Sequence, residues 1–326
     1  MMMKLSIMRD FLESGGSEAI VHSLLENWGF EQDSVRFLRA SSNFVFVFER
    51  NGEKYILRVT PNGNRKKLME EVSFLSFLSV NGVSVNIPER SKNGNMVEEA
   101  KSDLGVFQAV VFNLLPGAQY EIEELLERQF YLWGEALGNL HNCSKQFLKK
   151  HSTLINYVQQ FAELDSILPQ NESLAQRELE TIKTWLSTLE INQDNYGIIH
   201  FDFELDNLIW DGDNVQIIDF ESSMGNWYVA DIAFALRDLF IGKVDFSNKS
   251  FQLFLDGYRS KRNLTESEIS EIPMFLRLHN LITFTGLFRT LDVHKDRNNP
   301  EWIHGLQKKL ESKINDYRAG FKRGDL

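Results

Sequence analysis

A chain of 326 residues that is 43% hydrophobic holds enough apolar material for one or two cores, and its single cysteine, Cys143, excludes an internal disulfide framework. A formal net charge of −11 argues against nucleic acid as the main partner, because phosphate binding calls for a basic stripe. No apolar run reaches the length of a membrane span, and Met1-Met2-Met3-Lys4 leads into Arg9, Asp10 and Glu13 instead of a signal peptide's apolar block, so a soluble cytoplasmic protein without a membrane partner is expected; nothing in the sequence fixes an oligomeric state.

The first third is predicted to be β-rich. Ala19, Ile20, Leu24 and Leu25 recur at helical spacing over 17–28, and Gly29 ends the pattern. Val35–Leu38, Phe44–Glu49 and Lys54–Val59 are β-branched and aromatic runs, the last two joined by Arg50-Asn51-Gly52-Glu53, which predicts an antiparallel meander. A helix over 65–80 carries Leu68, Val72, Leu75 and Leu78 on one face, with Glu70 and Glu71 in its first half. Ile87-Pro88-Glu89 and Phe107–Phe112 supply further strands, separated by the turn Asn93-Gly94, and the chain leaves through Asn113-Leu114-Leu115-Pro116-Gly117.

Helices dominate the rest. A long one is expected over 121–141, then others near 154–164 and 174–189 and, beyond residue 230, near 230–240, 251–259, 266–290 and 302–321. His141 fits a packed helix-end position, and the aromatic stripe Phe275, Phe284 and Phe288 fits core. The exception to this helical run is the segment from Asn195 to Glu221. There His200-Phe201-Asp202-Phe203-Glu204-Leu205-Asp206-Asn207 precedes a hairpin turning at Asp211-Gly212-Asp213-Asn214, and the second strand ends in Ile218-Asp219-Phe220.

That order, His-x-Asp-x-x-x-x-Asn followed by an apolar strand and Asp-Phe, matches the catalytic and metal-binding residues of kinase-type enzymes. Asp202 is the candidate to orient an attacking hydroxyl and accept its proton. Asn207 and Asp219 offer the hard oxygen donors that suit Mg²⁺, and His200 is expected to brace the loop. Turn chemistry alone accounts for Asp211 and Asp213.

Phosphate transfer from ATP also gives earlier elements roles. Arg58 on the third strand stands where a cation reaching the phosphates belongs; Glu71, with Glu70 as the alternative, is expected to pair with it. Ser41, Ser42 and Asn43 form a small polar turn able to lie over phosphates, although an ordinary surface turn explains their composition equally well. The backbone of Phe112, Asn113 and Leu114 is expected to face the adenine in an apolar slot between lobes. Glu204 and Asp206, with the rings of Trp227 and Tyr228, are candidates to favour a cationic substrate; a tight loop on a packed aromatic base is the alternative.

These residues, together with Tyr55-Ile56-Leu57-Arg58-Val59, Leu137-Gly138-Asn139-Leu140-His141 and Asp231-Ile232-Ala233, resemble the aminoglycoside phosphotransferase and choline kinase superfamily over nearly the whole chain. The resemblance implies an α+β, bilobed, protein-kinase-like fold: a small antiparallel β-sheet lobe with a helix over 1–115 and a larger, mostly helical lobe over 116–326. It implies ATP- and Mg²⁺-dependent phosphorylation of a small-molecule hydroxyl, and matches Asp231 to a family aspartate that braces the catalytic region. Relatives often carry Gly after the loop histidine and His-Pro-Gly before the asparagine, where this chain has Phe201 and Glu204-Leu205-Asp206. Two rival readings stay open: a catalytically silent nucleotide-binding module, suggested by Arg58 and the glycine-free turn, and a metal-dependent phosphohydrolase using His200, Asp202 and Asp219 as ligands.

Overall fold

The computed structural model describes residues 2–148, 156–240 and 242–324. Helices α1 (Leu5–Glu13) and α2 (Ser17–Leu25) come first, then strands β1 (Arg36–Ala40), β2 (Phe44–Arg50) and β3 (Glu53–Pro61), helix α3 (Arg65–Val80), and strands β4 (Glu98–Ser102) and β5 (Gly105–Asn113). The five strands form one antiparallel sheet in the order β1-β2-β3-β5-β4. Asn51 and Gly52 both adopt positive φ at the β2–β3 hairpin, the conformation its two-residue turn requires.

Side chains alternate across the sheet with a period of two. Phe44, Phe46 and Phe48 pair with Val59, Leu57 and Tyr55, and with Phe107, Ala109 and Val111 they form the buried face that α1 and α2 cover. Leu5, Met8 and Phe11 are the buried stripe of α1, and Phe11 stacks on Phe44 with ring centroids 3.9 Å apart. Arg58, opposite Val45 and Val110, is therefore turned to the other face.

The second stretch contains α4 (Glu127–Leu148), α5 (Tyr157–Ile167), α6 (Ser173–Leu186), β6 (Tyr196–Ile199), β7 (Leu208–Asp211), β8 (Asn214–Ile217), β9 (Met224–Trp227), α7 (Tyr228–Ala235), α8 (Lys249–Arg259), α9 (Glu266–Ser270), α10 (Ile272–Thr290) and α11 (Glu301–Arg323). β6 pairs with β9 and β7 with β8, both antiparallel. Helices α4 and α8 cross at glycine: a Cβ on Gly134 would run into the Phe254 carbonyl, and one on Gly257 into the Tyr131 carbonyl. That close approach brings His141 of α4 to Tyr258 of α8. No helix among the described residues is long and apolar enough to cross a membrane.

Contacts divide the chain into two compact units, Met1–Ser73 with Asn86–Leu115 and Gly286–Asn315, and Phe74–Val85 with Pro116–Thr285 and Asp316–Leu326. A single cut between residues 115 and 116 thus misses two exchanges. Residues 286–315 belong with the first unit because Trp302 and Leu306 pack on its core, Trp302 Nε1 donates to Glu13, and Ser6 donates to Asp292. Residues 74–85 belong with the second, where Phe74 and Phe77 meet Phe147 and the Ile217 amide donates to the Ser84 carbonyl.

Several local expectations change. Ile87–Glu89 is no strand but a single bridge from Pro88 to Phe112, since proline has no N–H for a ladder. The long helix starts at Glu127, because Glu121 and Glu124 close a capping box around a separate 3-10 turn. His141 accordingly lies inside a helix and not at its end. The helix expected near 154–164 runs from Tyr157, started by the Asn156–Gln159 capping box; residues 154 and 155 lie outside the described residues.

Candidate active site

β6 delivers the chain to His200 inside the second unit. The backbone N–H groups of His200 and Phe201 donate to Asp231 Oδ2 and Oδ1 at 2.7 and 2.8 Å, and His141 Nε2 donates to Oδ2 at 3.0 Å. Asp231 is completely buried in α7. A carboxylate only accepts, so His141 carries its proton on Nε2, and Nδ1 takes the Tyr258 hydroxyl at 2.9 Å. Burial pushes the His141 pKa down and the Tyr258 pKa well up, which keeps both neutral near pH 7.

From this anchor the loop turns sharply. Phe201 has φ 75°, a left-handed conformation that a bulky L-residue avoids, and it sits where relatives often carry glycine. Half-buried Asp202 follows, its N–H 3.3 Å from His200 Nδ1. The other ring nitrogen, His200 Nε2, donates to the Ile218 carbonyl at 3.0 Å. Asn207 Nδ2 donates to the Asp202 carbonyl at 2.9 Å, and the Ile218 N–H donates to the Asn207 carbonyl at 3.0 Å. These bonds bind the three segments carrying Asp202, Asn207 and Asp219 into one piece. Asp219 itself is left-handed (φ 63°, ψ 63°), a conformation Asp tolerates better than most residues, which turns the chain abruptly at the end of β8.

In the first unit Arg58 and Glu71 make a two-pronged pair, Nη1 to Oε1 at 2.8 Å and Nη2 to Oε2 at 2.9 Å, with 8% and 7% of their side chains exposed. The guanidinium lies 5.4 Å from the Phe112 ring centroid. Asn43 is buried and its Oδ1 accepts from Thr60 Oγ1 at 2.7 Å while Nδ2 reaches Ser42 Oγ at 3.3 Å, so this side chain holds the turn together. The Ser41 carbonyl accepts from the Met3 N–H at 2.7 Å. Of the backbone groups expected to meet adenine, the Leu114 N–H is committed to the Lys54 carbonyl at 3.1 Å and the Asn113 carbonyl accepts from Asn86 Nδ2 at 3.1 Å.

Residues 34–262 match the family model described as "Phosphotransferase enzyme family". The chain belongs to that family. It is similar to the amicoumacin kinase of Bacillus subtilis (strain 168), 25% identical over 322 residues that cover 94% of this chain and 96% of that one. Among solved structures, the amicoumacin kinase hAmiN in complex with AMP-PNP, Ca²⁺ and Ami has a TM-score of 0.77 at 22% identity, covering 92% of this chain and 93% of that one. A microcompartment-associated aminopropanol kinase has a TM-score of 0.71 at 22% identity over 94% of this chain and 96% of its own. The phosphotransferase therefore has the protein-kinase-like α+β fold and is a small-molecule kinase with a hydroxyl as phosphate acceptor.

Two expectations for this kinase need correction. Glu204 is no free negative charge awaiting a cation, because it pairs with Arg237. Trp227 and Tyr228 are buried, with Trp227 Nε1 bonded to the Glu190 carbonyl and the Tyr228 ring covered by Arg262 at 4.0 Å, so neither face meets an ammonium group. Sequence reasoning also passed over Arg237 and His279, which no motif marks. The phosphohydrolase loses its histidine ligand, since both His200 ring nitrogens are engaged by the backbone; no cluster of three His, Cys, Asp or Glu able to hold a metal exists among the described residues. Asn207 with Asp219 fits a different demand. The bond from Asn207 Nδ2 makes Oδ1 the acceptor end of that amide, and an amide oxygen with a carboxylate is the kind of hard donor set that would suit Mg²⁺.

Proposed function

We propose that this kinase transfers the γ-phosphoryl group of ATP, with Mg²⁺, to a hydroxyl of an amino sugar, an amino alcohol or a sugar in the cytoplasm. Asp202 orients the hydroxyl and accepts its proton as the new O–P bond forms and the bond to the bridging oxygen of ADP breaks. Asn207 Oδ1 and Asp219 hold Mg²⁺, whose charge offsets that on the phosphate oxygens when it is bound. Arg58 supplies fixed positive charge to the phosphates and Glu71 fixes its direction. The backbone and hydroxyls of Ser41 and Ser42 cover the phosphates, with Asn43 as the brace of that turn. Phe112 gives the adenine an apolar wall and the segment through Asn113 and Leu114 its edge.

The observation that carries this reading is the hydrogen-bonded unit of Asp202, Asn207 and Ile218-Asp219, secured by His200. Phosphoryl transfer through a loose transition state asks for positioning above all, and a loop set this firmly supplies it. The test is ATP consumption with Mg²⁺ over a panel of aminoglycosides, amino alcohols, sugars and nucleosides. Turnover on one class should fall by about 10²- to 10⁴-fold in Asp202→Asn and Asp202→Ala, with ATP binding and the denaturation midpoint retained. Substantial turnover in either variant would remove Asp202 from its role.

A further inference from the structure

The edge strand of the first unit carries an irregularity that the transfer chemistry leaves without a role. β1 and β2 pair Arg36 with Val47 and Phe37 with Phe46, but the next pair is Arg39 with Val45, so Leu38 is an extra residue and the strand bulges there. In a regular ladder Leu38 would stand opposite Val45, and Arg39 opposite Phe44, on the face that α1 and α2 cover. The bulge turns exposed Arg39 to the other face instead, opposite Val45, which in turn stands opposite Arg58. Directly opposed residues share a face, so the two arginines lie on one line across β1, β2 and β3 with half-buried Val45 between them. Strands about 4.8 Å apart set their Cα atoms about 10 Å apart, a span that two long side chains can close onto one ligand. Phe112, two along from the Val110 that pairs with Arg58, belongs to the same face.

The groups already assigned to the phosphates leave a deficit of positive charge. Ser41 and Ser42 can cover phosphate oxygens, but none of Ser41, Ser42 and Asn43 adopts positive φ, so the turn lacks the alternation of right- and left-handed residues that aims successive N–H groups at an anion; the Ser41 N–H itself donates to the Asn43 carbonyl at 3.1 Å. Arg58 brings a full charge, yet both of its terminal nitrogens meet Glu71, and the pair is neutral as a whole. Resting on the kinase reading above, we infer that Arg39 is a second phosphate-binding cation, aimed by the Leu38 bulge at the polyphosphate of the nucleotide held against Arg58. Its planar fork suits phosphate oxygens two at a time. Arg36 shares the face, opposite Val47, but stands in a different setting: its Nη1 donates to the Val35 carbonyl at 2.9 Å, and Glu31, Asp33 and Glu49 line the cleft beside it, carboxylates that repel an anion.

The experiment measures binding to the full chain, without acceptor, of Mg-ATP by calorimetric titration and of adenosine by ligand-observed NMR. Arg39→Ala should weaken Mg-ATP binding about 10- to 100-fold and leave adenosine binding unchanged, because only the phosphates meet the guanidinium. Arg39→Lys should recover part of the loss, as a point charge without the fork, and Arg39→Gln should recover less. Arg36→Ala, which removes the same charge from the same strand, should bind both ligands as the parent does. Circular dichroism melts confirm that each variant is folded, and Arg39→Lys keeps the test decisive should Arg39→Ala not fold. An Mg-ATP affinity that no Arg39 variant moves, an equal loss for Mg-ATP and adenosine, or an equal loss in Arg36→Ala overturns this inference and leaves the kinase reading standing. A parent chain that binds no Mg-ATP overturns both.

Discussion

In each compact unit a buried carboxylate stands beside the candidate site residues, and the two are satisfied in different ways. Glu71 in the first unit meets the side-chain fork of Arg58, charge against charge. Asp231 in the second meets two backbone amides and a neutral imidazole. The Glu71 arrangement is a matched pair whose halves justify one another, whereas Asp231 answers a demand made by main-chain N–H groups, which every residue but proline carries. The first arrangement exists for the charge it presents; the second exists to hold a bend that places Asp202.

Breaking the second should cost more. Asp231→Ala leaves three buried donors unsatisfied, at about 1–3 kcal/mol each, so a loss of about 4 kcal/mol or more is expected in urea unfolding, and no companion substitution should restore it. The Glu71 pair behaves otherwise. Arg58→Met strands a buried carboxylate and should cost about 3–5 kcal/mol, but Arg58→Met with Glu71→Met should return to within about 1 kcal/mol of the parent or exceed it, while ATP-dependent turnover stays lost. A double variant as unstable as the single would show that the pair anchors structure beyond its own charges, and the contrast with Asp231 would fall.

The same contrast explains what the sequence disclosed. Arg58, Glu71, Asp202, Asn207 and Asp219 stand out because strand alternation, helix spacing and a fixed motif interval are local in the chain, and the sheet's face could be read from Phe44, Phe46 and Phe48 alone. The N-terminal helix escaped notice although Leu5, Met8 and Phe11, its buried stripe, recur at helical spacing. Strand β4, Glu-Glu-Ala-Lys-Ser, has no strand composition; pairing with β5 and the bonds from Ser91 and Asn95 to Glu98 create it. Arg237 meeting Glu204, residues 286–315 joining the first unit, and Tyr258 reaching His141 are all long-range pairings between stretches that carry no mark in isolation. Asp231 shows the limit most clearly, since family resemblance alone singled it out.

A titration separates the units further, because the histidine of the second anchor is held neutral. Burial lowers the His141 pKa in the folded protein, and His279 falls to about 3, whereas both return to about 6.5 on unfolding. Below pH 6.5 the unfolded chain binds more protons than the folded one, so stability is full above that pH and declines as pH falls toward the folded-state values. His279 contributes a limiting slope of about 1.4 kcal/mol per pH unit, and His141 adds to it in the same direction. Unfolding free energies at pH 7, 6 and 5 should show that decline, and His279→Gln should reduce the slope by about one proton. A slope unchanged in the variant would mean that His279 is protonated in the folded state.

The smallest expected effect tests the bend itself. Phe201 adopts a left-handed φ where Asp231 draws in the successive N–H groups of His200 and Phe201, and its ring is retained against Phe234. Removing the ring costs packing whichever small residue replaces it, so the informative quantity is the difference between two replacements. Alanine keeps the steric penalty of φ 75° and glycine does not. Phe201→Gly should therefore be more stable than Phe201→Ala by about 1 kcal/mol, against the usual cost of extra backbone freedom in the unfolded chain. If alanine proved the more stable of the two, the conformation would carry no strain, and the bend would belong to the loop's own preference instead of to the grip of Asp231.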